Sequence, residues 1–65
     1  MELTINGEDR QVLDGTSAQS LLEQLGLPEK GVAIAVNGTV HPRSRWAEEL
    51  PAFAEVDVLT AVQGG

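Results

Sequence analysis

One stretch of this chain repeats its apolar residues at the helical period. Ala18, Leu21, Leu22 and Leu25 fall at i, i+3, i+4 and i+7, so they share one helix face. The stretch has clear limits. Thr16 or Ser17 can offer the hydroxyl that accepts from the first free N–H groups, and Thr16-x-x-Gln19 fits a capping box. Gly26 suits the left-handed residue that ends a helix, Leu27 can pack back on the last turn, and Pro28 prevents continuation. The spacing predicts a helix over 18–25. A single helix has one apolar stripe and covers one face of a sheet. The rest of the chain must supply that sheet.

The remaining periodicity is of the strand type. Leu3 and Ile5 alternate with Glu2, Thr4 and Asn6. Asn6-Gly7 is a hairpin signal, with Glu8-Asp9 extending the turn, and a short second strand is predicted from Arg10 to Leu13. Asp14-Gly15 breaks it. Val32, Ile34 and Val36 form a third strand that turns at Asn37-Gly38 into a short fourth, Thr39-Val40-His41, stopped by Pro42. One irregular helical turn is expected from Trp46 to Leu50, before Pro51, and Phe53 is expected to close the loop onto the core. The last strand is predicted over Val56 to Val62, with Gln63-Gly64-Gly65 beyond it. The order is β-β-α-β-β-turn-β. Hairpin strands pair antiparallel, and a parallel pairing of the first and last strands is open. The expected class is α+β with a β-grasp layout: a mixed sheet of four to five strands on one helix, and a flexible Gly-Gly C-terminal tail.

Sixty-five residues imply one domain, 1–65, with the tail at 63–65. A chain of this size buries only about 60% of the surface its unfolded form exposes, so the core must be regular. The absence of cysteine rules out a disulfide framework, a thiolate zinc site and a cysteine nucleophile. The start, Met1-Glu2-Leu3-Thr4, is not expected to be a signal peptide, and no run approaches the ~20 apolar residues of a membrane span. A soluble cytoplasmic protein is the expectation. Ten acids against four bases give a formal charge of −6, and Arg10, Lys30, Arg43 and Arg45 form no tract. Such a surface repels phosphate backbones and argues against nucleic acid. The charge either steers a partner with a basic face or serves solubility.

Side-chain chemistry has little to work with. His41 stands alone before a proline, and Ser17 and Ser20 belong to the helix start. Glu8-Asp9 and Glu48-Glu49 are adjacent acids that do not converge, and Asp14-Gly15 lacks the lysine and glycine run of a phosphate loop. No metal-ligand spacing is present. Two features remain. If Val32, Ile34, Val36, Val56 and Val58 face the helix, then Ala33, Ala35, Leu59 and Ala61 belong to the outer face of the sheet. Small apolar side chains there are either a partner surface or ordinary strand filler, and Val62 and Gln63 continue that surface into the tail. The second feature is the ending. Gly64-Gly65 can thread a narrow channel and presents an α-carboxylate, unless it is a frayed end or a cut linker. An ionised carboxylate resists nucleophiles. Conversion to an acyl adenylate supplies a leaving group that a sulfur nucleophile can displace, and both steps require partners.

Leu21-Leu22-Glu23-Gln24-Leu25 on the helix, the strand Val32-Ala33-Ile34-Ala35-Val36-Asn37, the Pro42-Arg43-Ser44-Arg45-Trp46 segment and the Gly64-Gly65 ending together resemble the ThiS family of small sulfur carriers of thiamin biosynthesis. The resemblance covers essentially the whole chain. Its more specific signal is the Pro-Arg-x-x-Trp segment, since all ubiquitin-like modifiers share the ending. It implies a ubiquitin-like β-grasp fold. It implies that Gly65, with Gly64 giving access, is adenylated by an E1-like, ThiF-like enzyme using ATP and converted to a thiocarboxylate. The sulfur comes from a donor such as a cysteine desulfurase and passes to a ThiG-like thiazole synthase. The chain is then a carrier and co-substrate with no cofactor of its own, and not an enzyme. His41, where the family usually has an aliphatic residue, and Gln63, at a variable position, depart from the pattern. Arg43 is expected to bond loop carbonyls and Trp46 to cover the end of the core.

Other readings stay open. The small subunit of molybdopterin synthase has the same fold and tail but is usually longer and lacks Pro-Arg-x-x-Trp. A protein modifier forming isopeptide bonds through Gly65 and an inert interaction domain are the others.

Overall fold

Two Asn-Gly turns set the register of the sheet. In the computed structural model, which describes residues 1–60, Asn6 and Asn37 both have φ of 50°, followed by Gly7 at 83° and Gly38 at 81°. Positive φ at both central residues is the mirror-image turn whose twist matches that of paired strands. The first turn joins β1 (Glu2–Ile5) to β2 (Glu8–Gln11), with Ile5 opposite Glu8 and Leu3 opposite Arg10. The second joins β3 (Val32–Val36) to β4 (Thr39–Val40), with Val36 opposite Thr39 and Ala35 opposite Val40.

The second strand therefore starts two residues earlier than the predicted Arg10. Glu8 and Asp9 belong to the ladder, and Val12 and Leu13 lie beyond the strand's end at Gln11. All four β2 residues are exposed, so no alternating burial marks the strand in the sequence. The fourth strand ends at Val40, one residue before His41.

β5 (Glu55–Thr60) runs down the middle of the sheet, parallel to β1 and antiparallel to β3. The strand order is β2-β1-β5-β3-β4, a mixed five-stranded sheet. The predicted continuation of this strand to Val62 falls outside the described residues. The parallel pair is possible because the crossover between β1 and β5 contains a helix, β3 and β4.

α1 occupies Ala18–Leu25, as the spacing predicts, but its capping box sits one residue later than Thr16. Ser20 donates its backbone N–H to the Ser17 hydroxyl at 3.2 Å, and Ser17 donates its own to the Ser20 hydroxyl at 2.8 Å. Thr16 is diverted. Its hydroxyl donates to the Leu13 carbonyl at 2.6 Å and accepts from the Gln24 amide at 3.1 Å. At the other end the left-handed Gly26 donates to the Glu23 carbonyl, and Leu27 donates back to Leu22 at 2.9 Å.

The apolar stripe of α1 packs Ala18, Leu21 and Leu22 against Leu3, Ile5, Val32, Ile34, Val56 and Val58 from the inner sheet face. Trp46, Leu50 and Ala54 close the open end of this core. The helical turn expected over Trp46–Leu50 is instead a 3-10 turn at Arg43–Arg45. Pro42 starts it, and Trp46 follows as the buried residue it delivers. Phe53 does not close the loop with its ring, which is 76% exposed. The closure is made by backbone, Phe53 N–H donating to the Glu2 carbonyl at 2.7 Å with φ at 61°, and by the buried Ala54 beside it.

Candidate functional site

The outer face of the sheet follows from the register. Buried Val56 and Val58 alternate with exposed Glu55, Asp57 and Leu59, and buried Val32 and Ile34 alternate with Ala33 and Ala35. Directly opposite residues share a face. Leu59 stands opposite Ala33, Asp57 opposite Ala35, and Ala35 opposite Val40. The predicted surface residues Ala33, Ala35 and Leu59 are thus neighbours on the face away from α1. Leu59 is 63% exposed. Ala61, Val62, Gln63, Gly64 and Gly65 lie outside the described residues.

Val40 is the member that sequence reading missed. It is 76% exposed and extends the apolar surface to the sheet edge. The signal was present: a two-residue turn at Asn37-Gly38 forces Ala35 opposite Val40 and so onto the same face.

This apolar surface lies at the end of the sheet from which the chain continues. Thr60, the last residue of β5, pairs with Val32, the first of β3. The Pro28–Gly31 loop that leads into β3 is held from the side. Arg43 donates from its guanidinium to the Glu29 carbonyl and lies 4.4 Å over the Trp46 ring. Trp46 in turn donates its indole N–H to the His41 carbonyl at 3.0 Å. The Pro-Arg-x-x-Trp segment therefore works as a clamp between the loop before β3 and the core.

His41 belongs to the same clamp. It is half-buried, its backbone N–H bonds the Ile34 carbonyl at 2.8 Å, and its Nε2 lies 3.2 Å from the Arg45 carbonyl, a contact in which the ring nitrogen donates. Its ring thus has a partner that the sequence did not announce. Arg45 pairs with Glu48 at 3.1 Å. Among the described residues no pocket forms, no three metal-ligating side chains gather, and no helix is long and apolar enough to cross a membrane. What the described surface does present is the apolar outer face of the sheet at Ala33, Ala35, Val40 and Leu59.

Comparison with known proteins places the chain in a family. The family model described as the ThiS family matches residues 3–65. The chain belongs to the ThiS family. The sulfur carrier protein ThiS of Escherichia coli (strain K12) is 34% identical over 65 residues, covering all of this chain and 98% of that protein. A crystal structure of the thiamine biosynthesis protein ThiS from Geobacter metallireducens superimposes with a TM-score of 0.76 at 28% identity, covering the whole of both chains. The mixed sheet on one helix is the ubiquitin-like β-grasp fold of ThiS. Within the ThiS frame, the apolar sheet face includes Leu59 of β5, and the Arg43–Trp46 clamp holds the loop that leads into β3.

Proposed function

We propose that this chain is a sulfur carrier for the thiazole moiety of thiamin, with the carboxylate of Gly65 as the group that is activated and loaded. The reading is carried by the end-to-end likeness to a sulfur carrier protein ThiS, with the family match running to residue 65. The Gly65 carboxylate attacks the α-phosphorus of ATP within an E1-like, ThiF-like enzyme, forming an acyl adenylate and releasing pyrophosphate. A persulfide sulfur, of the kind a cysteine desulfurase supplies, then attacks the acyl carbon and expels AMP to give an acyl disulfide. A dithiol reductant cleaves its S–S bond, leaving a thiocarboxylate and the donor's thiol while the dithiol is oxidised to a disulfide. A ThiG-like thiazole synthase takes the sulfur. ATP is held by the activating partner, the chain needs no cofactor of its own, and the chain is a co-substrate rather than a catalyst.

The folded body acts as one unit for partners to grip, and residues 63–65 are the part delivered. The outer face at Ala33, Ala35 and Leu59, continued in sequence by Ala61, Val62 and Gln63, is the grip. Five residues beyond Thr60 reach at most about 18 Å at roughly 3.3 to 3.6 Å each, enough to place Gly65 in an active site while the sheet docks outside it. A cytoplasmic setting fits the need for ATP.

The test is a chain whose C-terminus is an amide. With the E1-like enzyme, ATP and a sulfur source, it must fail to support thiazole formation that the unmodified chain supports. Sulfur transfer from the amide would refute the reading.

A further inference from the structure

Resting on the carrier reading, we propose that the apolar sheet face docks a protein surface carrying an apolar side chain bordered on one side by basic ones, and that Glu55 and Asp57 set the rotation in which it docks. Leu59 and Val40 stand proud at two corners, with Ala33 and Ala35 between them as a low floor. That shape receives an apolar side chain. The border is asymmetric. Along β5 the next outward residues are Asp57 and Glu55, both exposed. Glu55 faces Thr4, whose hydroxyl donates to Asp9 at 2.9 Å. The described outward strand positions include Glu2, Asp9, Glu55 and Asp57 and no lysine or arginine, since Arg10 shares the face of Leu3.

Charge decides among occupants. A second copy of this chain would bring a face of the same negative sign, with no lysine or arginine at its described outward strand positions to pair with Glu55 and Asp57. A basic border on a partner is attracted across the same gap and speeds encounter. A partner rotated by half a turn would lay its basic groups over Leu59 and Val40, losing water without gaining a counter-charge. Rotation matters because the chain continues from the Thr60 end of the face, so only one orientation directs residue 65 toward the partner's active site.

The test is carrier-dependent ATP–pyrophosphate exchange by the E1-like enzyme of the same organism, with carrier concentration varied at low and high salt. The pair Glu55→Lys and Asp57→Lys should raise KM about tenfold at low salt while kcat is retained, and should remove the rise of KM with salt that the unmodified chain shows. The neutral pair Glu55→Gln and Asp57→Asn should fall between. Glu8→Lys with Glu23→Lys, the same change of net charge elsewhere on the surface, should leave KM within about twofold. Urea midpoints close to that of the unmodified chain verify that each variant is folded. Equal KM for the two lysine pairs overturns the proposal and leaves the carrier reading standing. A self-associating chain whose dimer is dissolved by Leu59→Asp overturns it in favour of a second copy. No exchange with the unmodified chain removes the carrier reading and this inference with it.

Discussion

The side-chain carbonyl of Asn6 accepts a hydrogen bond from the backbone N–H of Val58 at 2.8 Å. Asn37 does the same for Glu55 at 2.9 Å. Each Asn-Gly turn thus does two things: it reverses its own hairpin, and its asparagine ties that hairpin to the central strand. Asn→Gly at either site keeps the positive φ and removes the acceptor, so each should cost about 1 kcal/mol. Asn→Ala adds the left-handed penalty of roughly 1–2 kcal/mol. Urea unfolding should rank Ala below Gly at both positions, with unchanged m. Asn→Gly variants as stable as the unmodified chain would show that the side-chain bonds contribute nothing.

Trp46 is 4% exposed and closes the core beneath Arg43. Trp46→Ala should cost about 3–5 kcal/mol. A domain of this length has roughly 3–10 kcal/mol in all, so that variant should be largely unfolded in mild urea. Trp46→Phe retains most of the packing but leaves the His41 carbonyl without its donor, and should cost about 1–2 kcal/mol on that account. Arg43→Lys loses the flat stack over the ring and the fork aimed at Glu29, and should protect the amides of the Pro28–Gly31 loop less well from hydrogen exchange. Protection unchanged by Arg43→Lys would contradict the clamp.

The amino group of Met1 bonds and pairs with Asp14 at 2.9 Å. That hydrogen bond, and then the charge of the ammonium, hold the Asp14 carboxyl below the usual carboxylate range, against a small opposing effect of burial. A depressed folded-state pKa stabilises the fold above the unfolded pKa, and the contribution is lost as pH falls through the folded value. Carbon-detected NMR titration should place the Asp14 midpoint below those of ordinary aspartates, and acetylating the amino group should return it to them. A midpoint indifferent to acetylation would contradict the pairing.

Gly15 has φ of 83°, and a Cβ there would stand 2.9 Å from Glu49 Oε1. The carboxylate ends a flexible side chain and can move, so the backbone is the larger obstacle. Gly15→Ala should cost about 1–2 kcal/mol. Most of that loss should persist in a Glu49→Ala background. Full recovery there would place the cost in the contact instead.

Much of this was legible in the sequence, and the gaps have physical causes. The helix over 18–25 was readable because its period and its Gly26-Leu27-Pro28 stop agree. The inner and outer residues of β3 and β5 followed from alternation alone. The start of β2 is hidden in the sequence because its residues are all exposed, while Val12, past the strand's end at Gln11, still exchanges backbone bonds with Met1. The capping hydroxyl was ambiguous between Thr16 and Ser17 until the Leu13 carbonyl claimed Thr16. Phe53 looked like core, but its left-handed backbone turns the ring outward while small Ala54 takes the buried position. Val40 needed the hairpin register, and the Asn6 and Asn37 bonds to β5 needed the tertiary fold.

The carrier account depends most directly on the intact mass of the chain after incubation with ATP, the E1-like enzyme and a sulfur source. The account predicts the gain of one oxygen replaced by sulfur, located by fragmentation on Gly65. An unchanged mass, or a chain joined through Gly65 to lysines of other proteins with no thiocarboxylate form, would contradict it.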